Sequence, residues 1–145
     1  MQYDPVAIAR QFLYVREVPD NRGLRVEAIQ HWSGGQFGDS WCCEFATLVL
    51  DVAFQGASPI PRLQACQDIL DLSNKNGWTT DTPSEGDLFL YVNDAGHAHH
   101  VGLVTATDTL TGIAGNTSAD GTSTNGDRVA EHAISATVFV AYPRD

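Results

Sequence analysis

The sequence predicts an α+β fold in one domain, with N-terminal helices packed on a C-terminal antiparallel sheet. Three observations predict it. Apolar residues of the first half recur at helical spacing, whereas those of the second half fall into short Val/Leu/Ile-rich runs. Turn signals punctuate the second half often enough for hairpins. The chain has 145 residues, 43% apolar and 18% charged. That is one domain's length, able to bury about two-thirds of its unfolded surface without a metal or disulfide staple. No internal repeat or linker divides residues 1–145.

Asp4-Pro5 reads as a cap followed by a proline in the first turn, and Val6, Ala9, Phe12 and Leu13 extend a helix to about Val15. Asp20-Asn21-Arg22-Gly23 is a turn. Leu24 to about Trp32 forms a second helix with Leu24, Ala28 and His31 on one side. Ser33 to Gly38 is a glycine-rich loop. A third helix starts at Asp39 or Ser40, with Cys42, Phe45, Ala46, Val49 and Ala53 on one face. Gly56-Ala57-Ser58-Pro59 ends it. A fourth runs from about Leu63 to Asn74, closed by Asn76-Gly77. Strands follow at Leu88–Val92 and His100 to about Ala106, joined through the Asn93-Asp94-Ala95-Gly96 turn as a hairpin. Leu110–Ala114, Arg128–Ile134 and Val138–Tyr142 add three more, in the order of an antiparallel meander. Residues 116–127 have no apolar period and form a loop.

Three local features carry chemistry. Ser40-Trp41-Cys42-Cys43-Glu44-Phe45 puts two cysteines in the first turn of the most apolar helix, where free N–H groups and the helix dipole favour a thiolate. Helical spacing does not choose between Cys42 and Cys43, which lie about 100° apart around the axis, and small apolar cysteines also simply pack in cores. Gly96-His97-Ala98-His99-His100-Val101 places three of the five histidines at the head of a strand. They can supply a base, or a clamp in which His97 and His99 share one face, although no second ligand pair stands at zinc spacing. Gly115-Asn116-Thr117-Ser118 ends the next strand. An Asn there usually starts a turn, but in a thiol hydrolase its side-chain carbonyl orients an imidazole.

Trp41-Cys42-x-x-Phe45, Pro83-x-x-Gly86-Asp87-Leu88-Phe89, His100-Val101-Gly102-Leu103-Val104 and Gly115-Asn116-Thr117-Ser118 occur in that order, with Asn21-Arg22-Gly23 before them and Tyr142 ending the last strand. The chain thereby resembles a CHAP domain, the cysteine- and histidine-dependent amidohydrolase/peptidase group of the papain-like and NlpC/P60 set. The resemblance covers nearly the whole chain and implies a papain-like domain over residues 1–145. It implies Cys42 as nucleophile, because the family nucleophile directly follows the aromatic residue, with Cys43 as packing. It implies His100 as general base and acid, and Asn116 as the residue that orients it. Gln36, Trp41 and His99 are the candidates for the oxyanion donor and the cleft. Gly86-Asp87 shapes the turn into its strand. No metal or organic cofactor is implied. The implied substrate is peptidoglycan, cut as an N-acetylmuramoyl-L-alanine amidase or an endopeptidase would cut it, in a lysin-like enzyme or an antibacterial toxin. The alternatives are a thiol hydrolase or acyltransferase of the same fold acting on an intracellular amide, and a non-catalytic binding module.

Charge narrows the partners. Eighteen acidic residues face eight Lys and Arg, a net charge of -10, and Lys75 is the one lysine. No basic cluster exists to neutralise phosphates or anionic lipid, which argues against nucleic acid and membrane-surface docking. The same charge opposes docking on a polyanionic wall. Three cysteines cannot all pair within one chain, so a disulfide framework is not expected and a free reactive thiol is. The N-terminus carries no secretory signal and no apolar stretch has the length of a membrane span. Synthesis in the cytoplasm is therefore expected, with action on the wall after release or delivery. A delivery, holin or immunity partner is not visible in the sequence. Residues 116–127 contain Asp120 and Asp127 without the spacing of a helix–loop–helix calcium site, which reads as a solvated loop.

Overall fold

The computed structural model describes all residues, 1–145. Four helices, α1 (Pro5–Arg10), α2 (Leu24–Ser33), α3 (Cys42–Ala53) and α4 (Cys66–Asn76), precede six strands. These are β1 (Thr79–Thr80), β2 (Leu88–Val92), β3 (Ala98–Ala106), β4 (Thr111–Thr117), β5 (Arg128–Ala133) and β6 (Val138–Val140). They form one sheet in the order β1-β6-β2-β3-β4-β5, with every neighbouring pair antiparallel. No helix is long and apolar enough to cross a membrane.

The α1 start follows the sequence: Asp4 Oδ1 accepts from the Val6 N–H at 2.9 Å. Its end does not. The helix stops at Arg10 rather than near Val15, because the chain there turns to run beside β5: Val129 N–H donates to Val15 O and Glu17 N–H to Asp127 O. In α2 the buried stripe is Val26, Ile29, Gln30 and Ser33, whereas Leu24 is 86% exposed and His31 is exposed. Leu24, Ala28 and His31 thus do not form the inner side. The inward rotation buries Gln30, whose amide donates to Asn21 O and Asp39 O and ties together the loops on either side of α2. The third helix begins at Cys42, later than Asp39 or Ser40, and α4 begins at Cys66, later than Leu63.

The sheet departs from a meander at its last strand. After β5 the chain crosses back and β6 pairs with β2 and β1. Only Ile134–Thr137 link β5 to β6. In a flat sheet this crossing covers four strand spacings, about 19 Å, whereas five residue steps reach roughly 17 Å. The sheet must therefore curl. The hollow of the curl is filled by Phe89, Val104, Ala114, Ile134, Ala136 and Phe139, a core separate from the larger one between helices and sheet. Gly102 and Gly112 admit the Phe89 ring: a Cβ at either would lie 2.5 or 2.6 Å from it. Gly86, at φ 90°, sits in the turn before β2, where the Ser84 N–H donates to Asp87 Oδ2 and Arg144 pairs with Asp87.

Candidate active site

The N-terminus of α3 is seated on β4. Trp41 is fully buried, and a Cβ at Gly115 would lie 2.7 Å from its indole and 3.0 Å from Phe45 Cβ. The indole Nε1 donates to Glu17 Oε2 at 3.0 Å, so Glu17 is a partner of the core and more than acidic surface. Trp41 is thereby a packing anchor. It fixes the start of α3, and with it Cys42, over β4 at Gly115, the residue before Asn116.

Two strand irregularities converge there. The β2–β3 register slips between Tyr91↔His100 and Val92↔Ala98, leaving His99 as the extra residue. The β4–β5 register slips between Ala114↔Ala130 and Thr117↔Arg128, and Asn116 within that slip has φ 54°. The β3–β4 register is set at Leu103↔Ile113, and His100 and Asn116 each lie three residues beyond that pair on their own strands. Bulges of this kind re-aim side chains and are frequent beside active sites.

Cys42, His100 and Asn116 are 3%, 0% and 1% exposed. His100 stacks on Tyr91, with ring centroids 5.7 Å apart and planes at 13°. It also lies close enough to Cys42 to favour the thiolate there. Yet neither His100 ring nitrogen has a hydrogen-bond partner, and neither does the Asn116 amide nitrogen or oxygen. The Cys42 sulfur is directed at Cys66 instead, 3.5 Å from its Sγ. That contact and burial hold the Cys42 thiol well above its ordinary range, against the opposing pull of His100. Cys66 is pushed up too: its contact with Cys42 lowers it, but the contact with Cys43 and burial prevail. The resting thiol is therefore protonated. Cys43 is fully buried and donates to Leu63 O at 3.3 Å.

The other candidates scatter. Gln36 is exposed, and its backbone N–H donates to Asp39 Oδ2. His99 is exposed, stacks on Tyr91 at 6.3 Å, and lines a depression of about 680 Å³ with Tyr91, Asp120, Thr122 and residues 133–137. No set of three His, Cys, Asp or Glu side chains is arranged to hold a metal ion. Asp120 Oδ1 accepts from Ser118 and Thr122, and Asp127 pairs with Arg128.

Two features escape the sequence reading. Cys66 opposes Cys42 across 24 residues of chain. Glu44, two residues after Cys42, is fully buried with Ser33 Oγ as donor to Oε2 and no partner for Oε1. Burial, partly offset by Ser33 and reinforced by Asp39, pushes its carboxyl up to about 7. A charged residue in the first turn of the most apolar helix is the sequence signal for it. Comparisons with protein families, curated proteins and solved structures return no match.

Proposed function

We propose that the protein is a cysteine hydrolase acting on amide bonds, with Cys42 as nucleophile, His100 as general base and acid, and Asn116 as the residue that orients the imidazole. The observation that carries this reading is the buried His100 ring beside Cys42 with neither nitrogen partnered, and the buried Asn116 amide adds two further unpartnered atoms. Each such buried atom costs about 1–3 kcal/mol, so a cluster of them is maintained for chemistry rather than for stability. The papain-like arrangement of the CHAP family, with a helix-initial cysteine against a histidine strand, is the architecture this reading invokes.

Turnover on this reading starts when the Cys42 sulfur leaves Cys66 for His100. His100 takes the proton and the thiolate attacks the amide carbonyl. The N-cap of α3, Trp41, supplies no side-chain hydrogen bond, so the first N–H groups of the helix are available to the developing oxyanion. His100 then protonates the leaving amine, and water hydrolyses the thioester. An Asn116 carbonyl accepting the imidazole N–H fixes its tautomer. Gln36 has the freedom of an exposed loop residue to become a second oxyanion donor.

Peptidoglycan is the substrate class the family resemblance supports. The net charge of -10 favours a second reading, an amide substrate away from any polyanionic wall. One experiment separates them: turbidity of purified peptidoglycan, with mass spectrometry of released muropeptides. Clearance with new peptide or amide termini, abolished by Cys42→Ala and largely spared by Cys43→Ala, is the expected result. Acyl-enzyme formation on an activated ester without muropeptide release selects the second reading. Full activity of Cys42→Ala refutes both.

A further inference from the structure

We propose that Cys66 is a resolving thiol for Cys42, and that oxidation closes the two into a reversible disulfide. Their sulfurs are 3.5 Å apart and already in contact. Bond formation at the usual length of about 2.05 Å asks each sulfur to move by well under 1 Å. Each cysteine is also the first residue of a helix, Cys42 of α3 and Cys66 of α4. Neither preceding residue, Trp41 or Ala65, caps its helix with a side chain. Both sulfurs therefore sit by unspent N–H groups that stabilise the charge an attacking or leaving thiolate carries. Cys43, the other conceivable partner, also contacts Cys66 but spends its S–H on the Leu63 carbonyl, and the direct sulfur–sulfur contact is that of Cys42 with Cys66.

The chemistry balances with a peroxide as oxidant. The Cys42 thiolate attacks one peroxide oxygen, forming sulfenic acid and releasing hydroxide. Cys66, deprotonated, attacks the sulfenic sulfur, the S–O bond breaks, and the departing hydroxide takes up a proton as water. Two thiols and one hydrogen peroxide become one disulfide and two waters. A dithiol reductant reverses the closure by exchange. The loss of activity that follows rests on the reading of Cys42 as nucleophile; the bond itself does not.

The test treats the full chain with excess hydrogen peroxide, quenches in denaturant with an alkylating reagent, and maps the peptides. The expected product has lost two hydrogens, with Cys42 joined to Cys66, Cys43 alkylated, and dithiothreitol restoring three free thiols. The Cys43→Ser protein gives the same bridge, and Cys66→Ser instead takes Cys42 to sulfinic acid. A Cys43–Cys66 bridge, a sulfinic Cys42 beside a free Cys66, or three free thiols after treatment overturns the proposal. If the bridge forms but Cys42→Ala leaves amide hydrolysis intact, the catalytic assignment fails and the redox pair stands.

Discussion

Replacing Glu44 by Gln is expected to stabilise the protein at alkaline pH and to flatten its pH dependence. In the fold the carboxyl is buried and titrates near 7, against an ordinary value of 4.5. The folded state thus holds the proton more tightly than the unfolded chain. Its contribution is fully present below about pH 4.5 and is lost as pH rises through about 7. The shift of about 2.5 units corresponds to roughly 3 kcal/mol in total, of which about 2.5 kcal/mol disappears between pH 5 and pH 8. A domain of this size unfolds with an entropy near 0.3 kcal/mol/K, so Tm should fall by about 8 °C across that interval through this group alone.

Gln keeps the shape and an acceptor for Ser33 Oγ but cannot ionise. Thermal unfolding of both proteins at matched pH values is the assay. The difference between the two curves isolates Glu44 from Asp39, its nearest acidic neighbour, and from the exposed carboxylates, because those are common to both. Parallel curves for Glu44→Gln and wild type from pH 5 to pH 8 would refute the argument, since the carboxyl would then be ionised throughout in both states.

Further outcomes are as definite. Asn116→Ala should slow hydrolysis by about 10²-fold and move the pH profile of Cys42 alkylation, while changing Tm little. The loss of two unpartnered atoms there offsets the cost of alanine at positive φ. Gly112→Ala should destabilise by about 2–3 kcal/mol in chemical denaturation, because its Cβ meets the Phe89 ring at 2.6 Å and Leu103 O at 2.8 Å; an unchanged midpoint would show that Phe89 has room to move. If the substrate is a polyanionic wall, activity should fall at low ionic strength, where a net charge of -10 is least screened, and a maximum at the lowest salt would contradict this.

How far the sequence could be read depended on the range of the deciding interaction. Leu88–Val92 is a strand where the apolar run says so, because both faces of that segment are covered. The inner face of α3 follows from its spacing, because packing on a sheet only needs a continuous stripe. The end of α1 was not legible: Val15 leaves the helix for a backbone partner at Val129, more than a hundred residues away. The return of β6 to β2 was hidden for the same reason, since it depends on the curl that Phe89 and two glycines permit. At the site, Cys42, His100 and Asn116 stood out by residue type and order. Cys66 did not, because its meaning comes from a second helix start aimed at the first. Trp41 shares the site motif, yet its indole is spent on Glu17 and Gly115.

The closure of the site is consistent with turnover once its cover is priced in contacts. Tyr91 lines the depression outside and stacks on His100 within. It is held by that stack, by a tilted contact with the Phe89 ring at 5.5 Å, by a looser stack on the exposed His99, and by a 3.3 Å hydrogen bond that its hydroxyl accepts from Ser135 N–H. A weak hydrogen bond and three aromatic contacts amount to roughly 3–5 kcal/mol. If the proposed site opens by swinging Tyr91 aside, on the order of 0.1% of molecules are open at equilibrium with the rest of the fold intact. On the proposed reading such a population limits turnover and shields the thiol, and an opening that admits an amide would also admit water. Water would relieve burial, which holds the thiol up after the larger effect of the Cys66 contact, and the attraction of His100 would act on the sulfur once it leaves Cys66.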